Sequence, residues 1–374
     1  MSYKKGLVDQ ERLVRLLMDL CATDSGSRKE RKMADKLKGL LADLGFTVQE
    51  DDAGAKVGGD AGNLYARLPG TAAGTPLLFS SHMDRVTPGF GVRPRLEGDA
   101  VVSDGTTILG ADDAAGLAAV LEAVQVLREH NLPHPTIELA WTICEEVGLL
   151  GARNLDFSWF TAPMGFALDS SGPVGEIVTR APSQAKINAT FYGKAAHAGV
   201  APEKGVSAIQ MAGVAISRMK LLRVDNETTA NIGSIVAEGP TNIVPETCKI
   251  VAEARSLDQA KLEAQVEHMR QVMEAAAAEF GGRVEVEVLP SYTAVNLPAG
   301  SAPVVRAQKA AEAIGVKPFL AFTGGGSDAN IFNGNGIPTA VLGVGYQEIH
   351  STRERMPVAQ LTLLAEWVLA IICA

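Results

Sequence analysis

A chain of 374 residues with 34 Lys and Arg against 43 Asp and Glu carries a formal net charge of −9, and 47% of it is hydrophobic. At about 150 residues per domain this predicts two to three domains with sizeable cores, which excludes disordered and fibrous classes. The acid excess, without any Lys/Arg block, argues against a nucleic-acid or anionic-membrane binder, and five Tyr with three Trp make no stacking platform.

Met1 to Gly6 is short and polar, with no signal-peptide run after it, and no window reaches eighteen uninterrupted apolar residues. The expectation is a cytoplasmic protein. Cys21, Cys144, Cys248 and Cys373 lie far apart and form no CxxC pair, as buried thiols in a reducing compartment would.

Residues 8 to 44 place Leu13, Leu16, Leu17 and Leu20, then Met33, Leu37, Leu40, Leu41 and Leu44, at helical spacing and stop at Gly45, which predicts two helices. Strand-like runs follow at 46–48, 63–68 and 76–80, the last ending in Ser81-His82-Met83-Asp84. Asp112-Asp113 precedes an Ala/Leu-rich helical stretch, 114–128, so one of the two is a natural N-cap. Ile137 to Cys144 reads as a buried strand ending in Glu145-Glu146, and Met164 to Leu168 as another ending in Asp169. This alternation predicts an α/β domain with a mostly parallel sheet, whose crevices form at the carboxyl ends of the strands.

From about Ser183 the pattern changes. Strand-like runs at 185–192, 229–236, 248–255 and 283–289 and helices at 206–221 and 258–280 give a β-α-β-β-α-β order, the form of a compact α+β sandwich. A helix over 302–314 and strands near Thr323 and over 338–344 resume the first style. The reading is a discontinuous domain, 1–182 with 293–374, around an insertion at 183–292.

His82-x-Asp84, Asp112-Asp113, Glu145-Glu146, Asp169 and His350 form the strongest constellation. Taken singly, each also reads as a surface turn, a helix cap or a solvated pair. Together, carboxylates and imidazoles terminating apolar strands suit a pair of zinc, manganese or cobalt ions, with one carboxylate bridging them. Of two adjacent glutamates, one can be a ligand and its neighbour a general base. Asp84 lies two residues from His82 on the same side of an extended segment, where it can accept the second imidazole N–H. Competing motifs are missing: the sequence has no HExxH, no GxSxG elbow and no GxxxxGK[ST] loop. Cys144 reads as a structural thiol, Gly324-Gly325-Gly326 as a tight turn beside a site, and His197 as a loop histidine among small residues.

The run from Ser80 to Val86 resembles the first metal motif of the co-catalytic di-zinc exopeptidases, the family of peptidase T, glutamate carboxypeptidase and aminoacylase. The run from Asp104 to Gly116 resembles the second. Thr142 to Ala152, Ala167 to Ser170, the Gly193 to Gly199 histidine loop, Asn242 to Glu246 and Glu348 to Ser351 follow in the family's order, closest to peptidase T-like proteins.

The resemblance implies a three-layer α/β catalytic domain and an inserted ferredoxin-like dimerisation domain. It also implies a metal-dependent, cytoplasmic aminopeptidase on di- or tripeptides, with two divalent ions, zinc first and manganese or cobalt as alternatives. His82, Asp113 and Asp169 would hold one ion, and Asp113, Glu146 and His350 the other. A cis peptide is expected at Asp113-Ala114. Glu145 would be the general base, with Asp84 orienting His82. His197 would serve a partner subunit's oxyanion, and Asn242, Arg255 and Gly325 would bind substrate. Ala114 and Gly324 stand where relatives commonly carry Lys and Arg, so tripeptide specificity is open. An N-acyl amino acid or N-carbamoyl amidohydrolase on the same scaffold is the nearest rival. A non-catalytic metal-binding descendant is the rival of another class, and the complete ligand set with Glu145 speaks against it.

Overall fold

The computed structural model describes residues 5–374, so part of the polar Met1 to Gly6 stretch lies outside the described residues. The chain divides into two compact units. One comprises the described residues up to 180, with 296–322 and 327–374, and the other 181–295 with 323–326.

In the larger unit, helices α1 (Gln10–Ala22) and α2 (Arg31–Asp43) bury Leu13, Leu17, Leu20, Met33, Leu37 and Leu41 of the positions that the periodicity marked, while Leu16 and Leu40 are half-buried. Its main strands are β1 (Thr47–Glu50), β2 (Leu64–Leu68), β3 (Leu77–His82), β4 (Ile137–Thr142), β5 (Gly165–Ser170), β6 (Glu176–Ala181), β7 (Phe319–Phe322) and β8 (Thr339–Gly343). They hydrogen-bond in the order β1-β2-β4-β3-β5-β8-β6, with β7 also on β6. The sheet is mixed: β3 runs parallel to β4 and β5, and β8 parallel to β5, while β1-β2, β2-β4 and β8-β6 are antiparallel. Every residue of β3 and β4 is buried, as expected for strands covered on both faces.

On one face, α3 (Ala111–Glu129) packs on β3 and β5. Behind and beside it lie α1, α4 (Ala302–Ala313) and α6 (Val358–Cys373). On the other face, α5 (Asp328–Gly334) lies over β3, β5 and β8, next to an aromatic cluster of Tyr65, Trp159, Phe160 and Phe332. The parallel arrangement of β3, β4 and β5 brings their carboxyl ends to one edge, which sets the site.

The smaller unit is a wholly antiparallel sheet in the order 222–223, 228–236, 247–256, 183–192, 283–292. Its helices Ala208–Arg218 and Gln259–Glu279 cover one face, over a core that includes Ile187, Phe191, Met211, Ile250, Met269 and Met273. Burial alternates along Thr247–Ser256, so one face is packed and the other is not. The expected order holds, with a two-residue strand, Leu222–Arg223, added at the edge.

Candidate metal centre

His82 is the last residue of β3 and is buried. Its Nδ1 lies 2.9 Å from the carbonyl oxygen of Asp84, so that nitrogen carries the proton and donates. Nε2 faces Asp112 Oδ1 at 3.2 Å and Asp169 Oδ1 at 3.9 Å. Asp84 thus fixes the imidazole, but through its backbone, since its carboxylate is 3.6 Å away. That carboxylate holds the turn after β4 instead. Oδ1 accepts from the Glu145 N–H at 2.9 Å, and Oδ2 accepts from the Glu146 N–H at 3.3 Å and from Ser27 Oγ at 2.6 Å.

The adjacent aspartates divide the two roles the sequence offered, in the reverse of the expected assignment. Asp113 Oδ1 accepts from the Gly116 N–H at 3.1 Å, three residues on, so Asp113 caps the regular part of α3. Its Oδ2 takes the His82 N–H at 3.3 Å. With both oxygens on backbone donors, Asp113 does not face the imidazoles. Asp112 does: Oδ1 faces His82, and Oδ2 lies 3.4 Å from His350 Nε2. The cis peptide likewise lies at Asp112-Asp113, not at Asp113-Ala114. Both aspartates have non-helical backbone angles, so helical spacing does not tell which carboxylate points where.

Glu146 Oε1 completes the second imidazole's surroundings at 3.0 Å from His350 Nε2. One carboxylate oxygen of Asp112 per imidazole, flanked by Asp169 and Glu146, makes two neighbouring half-sites. His82, Asp112 and Glu146 can bring one donor atom each to within 4.8 Å of one another. Burial, then the Asp169 charge, raises the Glu145 carboxyl well above the usual range, and burial does the same for Asp169. Hydrogen bonds that His350 donates to Asp112, then to Glu146, hold it up at about 10. Burial opposes protonation of His82, but Asp112 and Asp84 override it and raise that group too. A cluster of buried carboxylates that draws protons onto its imidazoles is one that selects positive charge. Three carboxylates and two imidazoles fit a pair of borderline divalent cations.

Three further residues support the site without having stood out in the sequence. Asp328, at the start of α5, is buried, accepts from Thr142 Oγ1, and is pushed up to about 6 chiefly by burial. The only signal was its place after the Gly324-Gly325-Gly326-Ser327 run. Tyr346, also buried, reaches Asp169 Oδ1 at 3.5 Å. Glu354 lies buried four residues after His350.

The remaining expected residues belong to the smaller unit. His197 is exposed and bridges Ile243, and the Ala198 N–H donates to the Asn242 carbonyl at 2.8 Å, so the histidine loop and the Asn242 segment form one element. His197 Nδ1 accepts from the Gly199 N–H at 3.2 Å, which leaves the proton on Nε2 as a free donor. Arg255 is forked onto Glu253, Nε at 2.9 Å and Nη2 at 3.2 Å. The Gly325 N–H donates to Thr323 Oγ1 at 3.1 Å.

Residues 78–374 match the model for peptidase family M20/M25/M40. The chain is 52% identical to the aminopeptidase PepT of Bacillus cereus, whose crystal structure superposes with a TM-score of 0.90 over 98% of this chain and 99% of that one. A tripeptidase of Staphylococcus aureus is 44% identical, with a TM-score of 0.94 over 98% of both chains. The protein YqjE of Bacillus subtilis, of no assigned function, is 50% identical over 98% of this chain and 99% of its own length.

Proposed function

This chain belongs to peptidase family M20/M25/M40, and from that membership and the geometry above we infer that it is a peptidase T-like metal-dependent exopeptidase acting on short peptides. The observation that carries the reading is Asp112 with one oxygen toward each imidazole, beside a buried glutamate that no ligand role consumes.

His82, Asp112 and Asp169 would hold one divalent cation, and Asp112, Glu146 and His350 the other, with Asp112 shared. Two such cations, when bound, supply Lewis acidity to the scissile carbonyl and acidify the attacking water. The protein's own groups do the rest. Glu145, whose affinity for a proton is raised by burial and by Asp169, takes the proton of the attacking water and returns it to the leaving amine. Asp84 keeps the Glu145-Glu146 backbone in place by accepting both N–H groups, so base and ligand are set by one carboxylate. The Asp84 carbonyl holds the His82 proton on Nδ1 and keeps Nε2 free to ligate.

From the smaller unit, His197 offers its Nε2–H to the developing oxyanion, and we assign this to the active site of a partner subunit in a homodimer. Asn242, Arg255 and Gly325 are proposed to contact substrate, with Arg255 exchanging Glu253 for a substrate carboxylate. Zinc is the cation proposed, and the cytoplasm the compartment; among the described residues no helix is long and apolar enough to cross a membrane.

The test is a mass-spectrometric screen of protein loaded with zinc, manganese or cobalt against free dipeptides, tripeptides and N-acyl amino acids. Release of N-terminal residues from peptides is expected. Turnover confined to N-acyl amino acids would replace the peptidase reading with an acylase.

A further inference from the structure

The loop that carries His350 is closed at its foot, where Gln347 and Arg355 exchange both backbone hydrogen bonds, at 2.9 and 3.0 Å. The strand that follows, Arg355–Pro357, pairs with Ala100–Val102. Inside this closed loop His350 sits at a positive φ of 60° and is about half exposed, while Glu354 is 1% exposed. A glutamate four residues from an exposed histidine on a short polar loop has no local reason to be buried.

The reason lies across the fold. Glu354 Oε2 accepts from the N–H groups of Leu109 at 2.9 Å and Gly110 at 2.8 Å, and Oε1 accepts from the Asp112 N–H at 3.2 Å. Gly110 takes a φ of 75°, so successive N–H groups turn inward and form a concave anion nest, which the carboxylate fills. Arg85 packs against the outside of that turn. A Cβ on Gly110 would come within 2.9 Å of its guanidinium carbon, so only glycine lets the arginine and the turn meet. Arg85 is itself tied to the carbonyls of Leu20, Cys21 and Thr23 at the end of α1.

One carboxylate therefore fixes the backbone that aims Asp112 and, through four residues of a closed loop, fixes where His350 stands. We propose that Glu354 is a positioning residue that sets the distance between Asp112 and His350, and so the affinity and competence of the cation pair. The inference rests on the two-cation reading above, since its consequence is read as cation binding.

Three proteins test it: wild type, Glu354→Gln, which keeps the shape but turns an amide N–H toward the donors, and Glu354→Asp, which keeps the charge but shortens the reach. Zinc affinity is measured by competition with a chelating dye and zinc content by plasma mass spectrometry. Thermal unfolding of the metal-stripped proteins, and kcat and KM for trialanine, are measured on the same preparations. The expectation for Glu354→Gln is a 10- to 100-fold loss of zinc affinity, with kcat reduced at least tenfold at saturating zinc and KM within about twofold. Glu354→Asp should fall between it and wild type.

A variant that melts earlier but binds two zinc ions with wild-type affinity and turns over at the wild-type kcat would reduce Glu354 to a structural role and overturn the proposal. If Glu354→Gln does not fold, wild-type affinity and kcat in Glu354→Asp overturn it equally. Wild-type protein that binds no zinc overturns the two-cation reading and this inference with it, whereas binding by wild type and Glu354→Gln alike overturns this inference alone.

Discussion

Two aspartates in succession at the head of α3 do different work, and the difference is measurable. Asp112→Asn should lower bound zinc from two ions per chain and cut kcat by more than 100-fold, because a shared carboxylate is lost. Asp113→Asn keeps a competent cap, since asparagine is nearly as good there, but it can no longer accept at two oxygens. Its expected cost is about 1–2 kcal/mol of stability with zinc content unchanged. Metal analysis beside thermal unfolding separates the two, and the opposite pattern would return the bridging role to Asp113. Glu145→Ala should retain its zinc and lose about 10²- to 10⁴-fold in kcat; an unchanged kcat would remove Glu145 from the chemistry. The residue types of the site were legible because strands buried on both faces have no structural use for carboxylates at their ends. Which neighbour of a pair faces the centre was not, because that depends on backbone angles inside a segment that departs from the helix it opens. Glu354 and Asp328 were hidden for a related reason: their partners are more than 180 residues away in the chain.

Elements with one buried face announced themselves, as in α1, α2 and the alternating strands of the smaller unit. The helix α6 did not. Its sequence is apolar on nearly every side because it lies inside the unit against α3, α1 and α4, and a helix without a polar face shows no 3.6-residue period. Its one buried acid, Glu366, is satisfied by the Gly6 N–H at 2.7 Å, a contact no periodicity reveals. At the outer edge of the sheet, Glu50 of β1 joins two elements by accepting from Arg31 at 2.6 Å and Lys38 at 2.8 Å on α2. Burial raises its affinity for a proton, but the Arg31 hydrogen bond, the Gly62 N–H and Lys38 outweigh that and bring the carboxyl down to about 2. A folded-state value below the unfolded 4.5 means the stabilisation is fully present above about pH 4.5 and is lost as pH falls through about 2. Glu50→Gln should therefore cost about 1 kcal/mol at pH 7, the group being partly open to screening solvent, and the gap between variant and wild type should close by pH 2. Urea melts across that range measure it, and a gap that stays constant with pH would mean the network contributes nothing electrostatic.

For the whole molecule, the sharpest question is whether chemistry on the larger unit uses His197 from another copy. His197→Ala and Glu145→Ala proteins, each inactive alone, should regain up to about a quarter of wild-type activity when mixed, since random pairing places half the chains in mixed dimers and each mixed dimer has one site with both groups intact. Subunit exchange is confirmed by native mass spectrometry, and exchange without recovered activity would confine His197 to its own chain. The two-unit organisation was readable from the change of pattern near Ser183. The short return at 323–326 was not, since three glycines carry no periodicity.

That return has a consequence for how such a protein can be altered. The chain crosses between its units four times, at 180/181, 295/296, 322/323 and 326/327. Gly326 lies so near Tyr292 that a Cβ there would meet the ring at 2.3 Å. The smaller unit is consequently no cassette. Swapping residues 181–295 for another domain would strand a glycine whose shape is cut to a tyrosine ring that left with the insert, so insert and glycine segment can only be exchanged together.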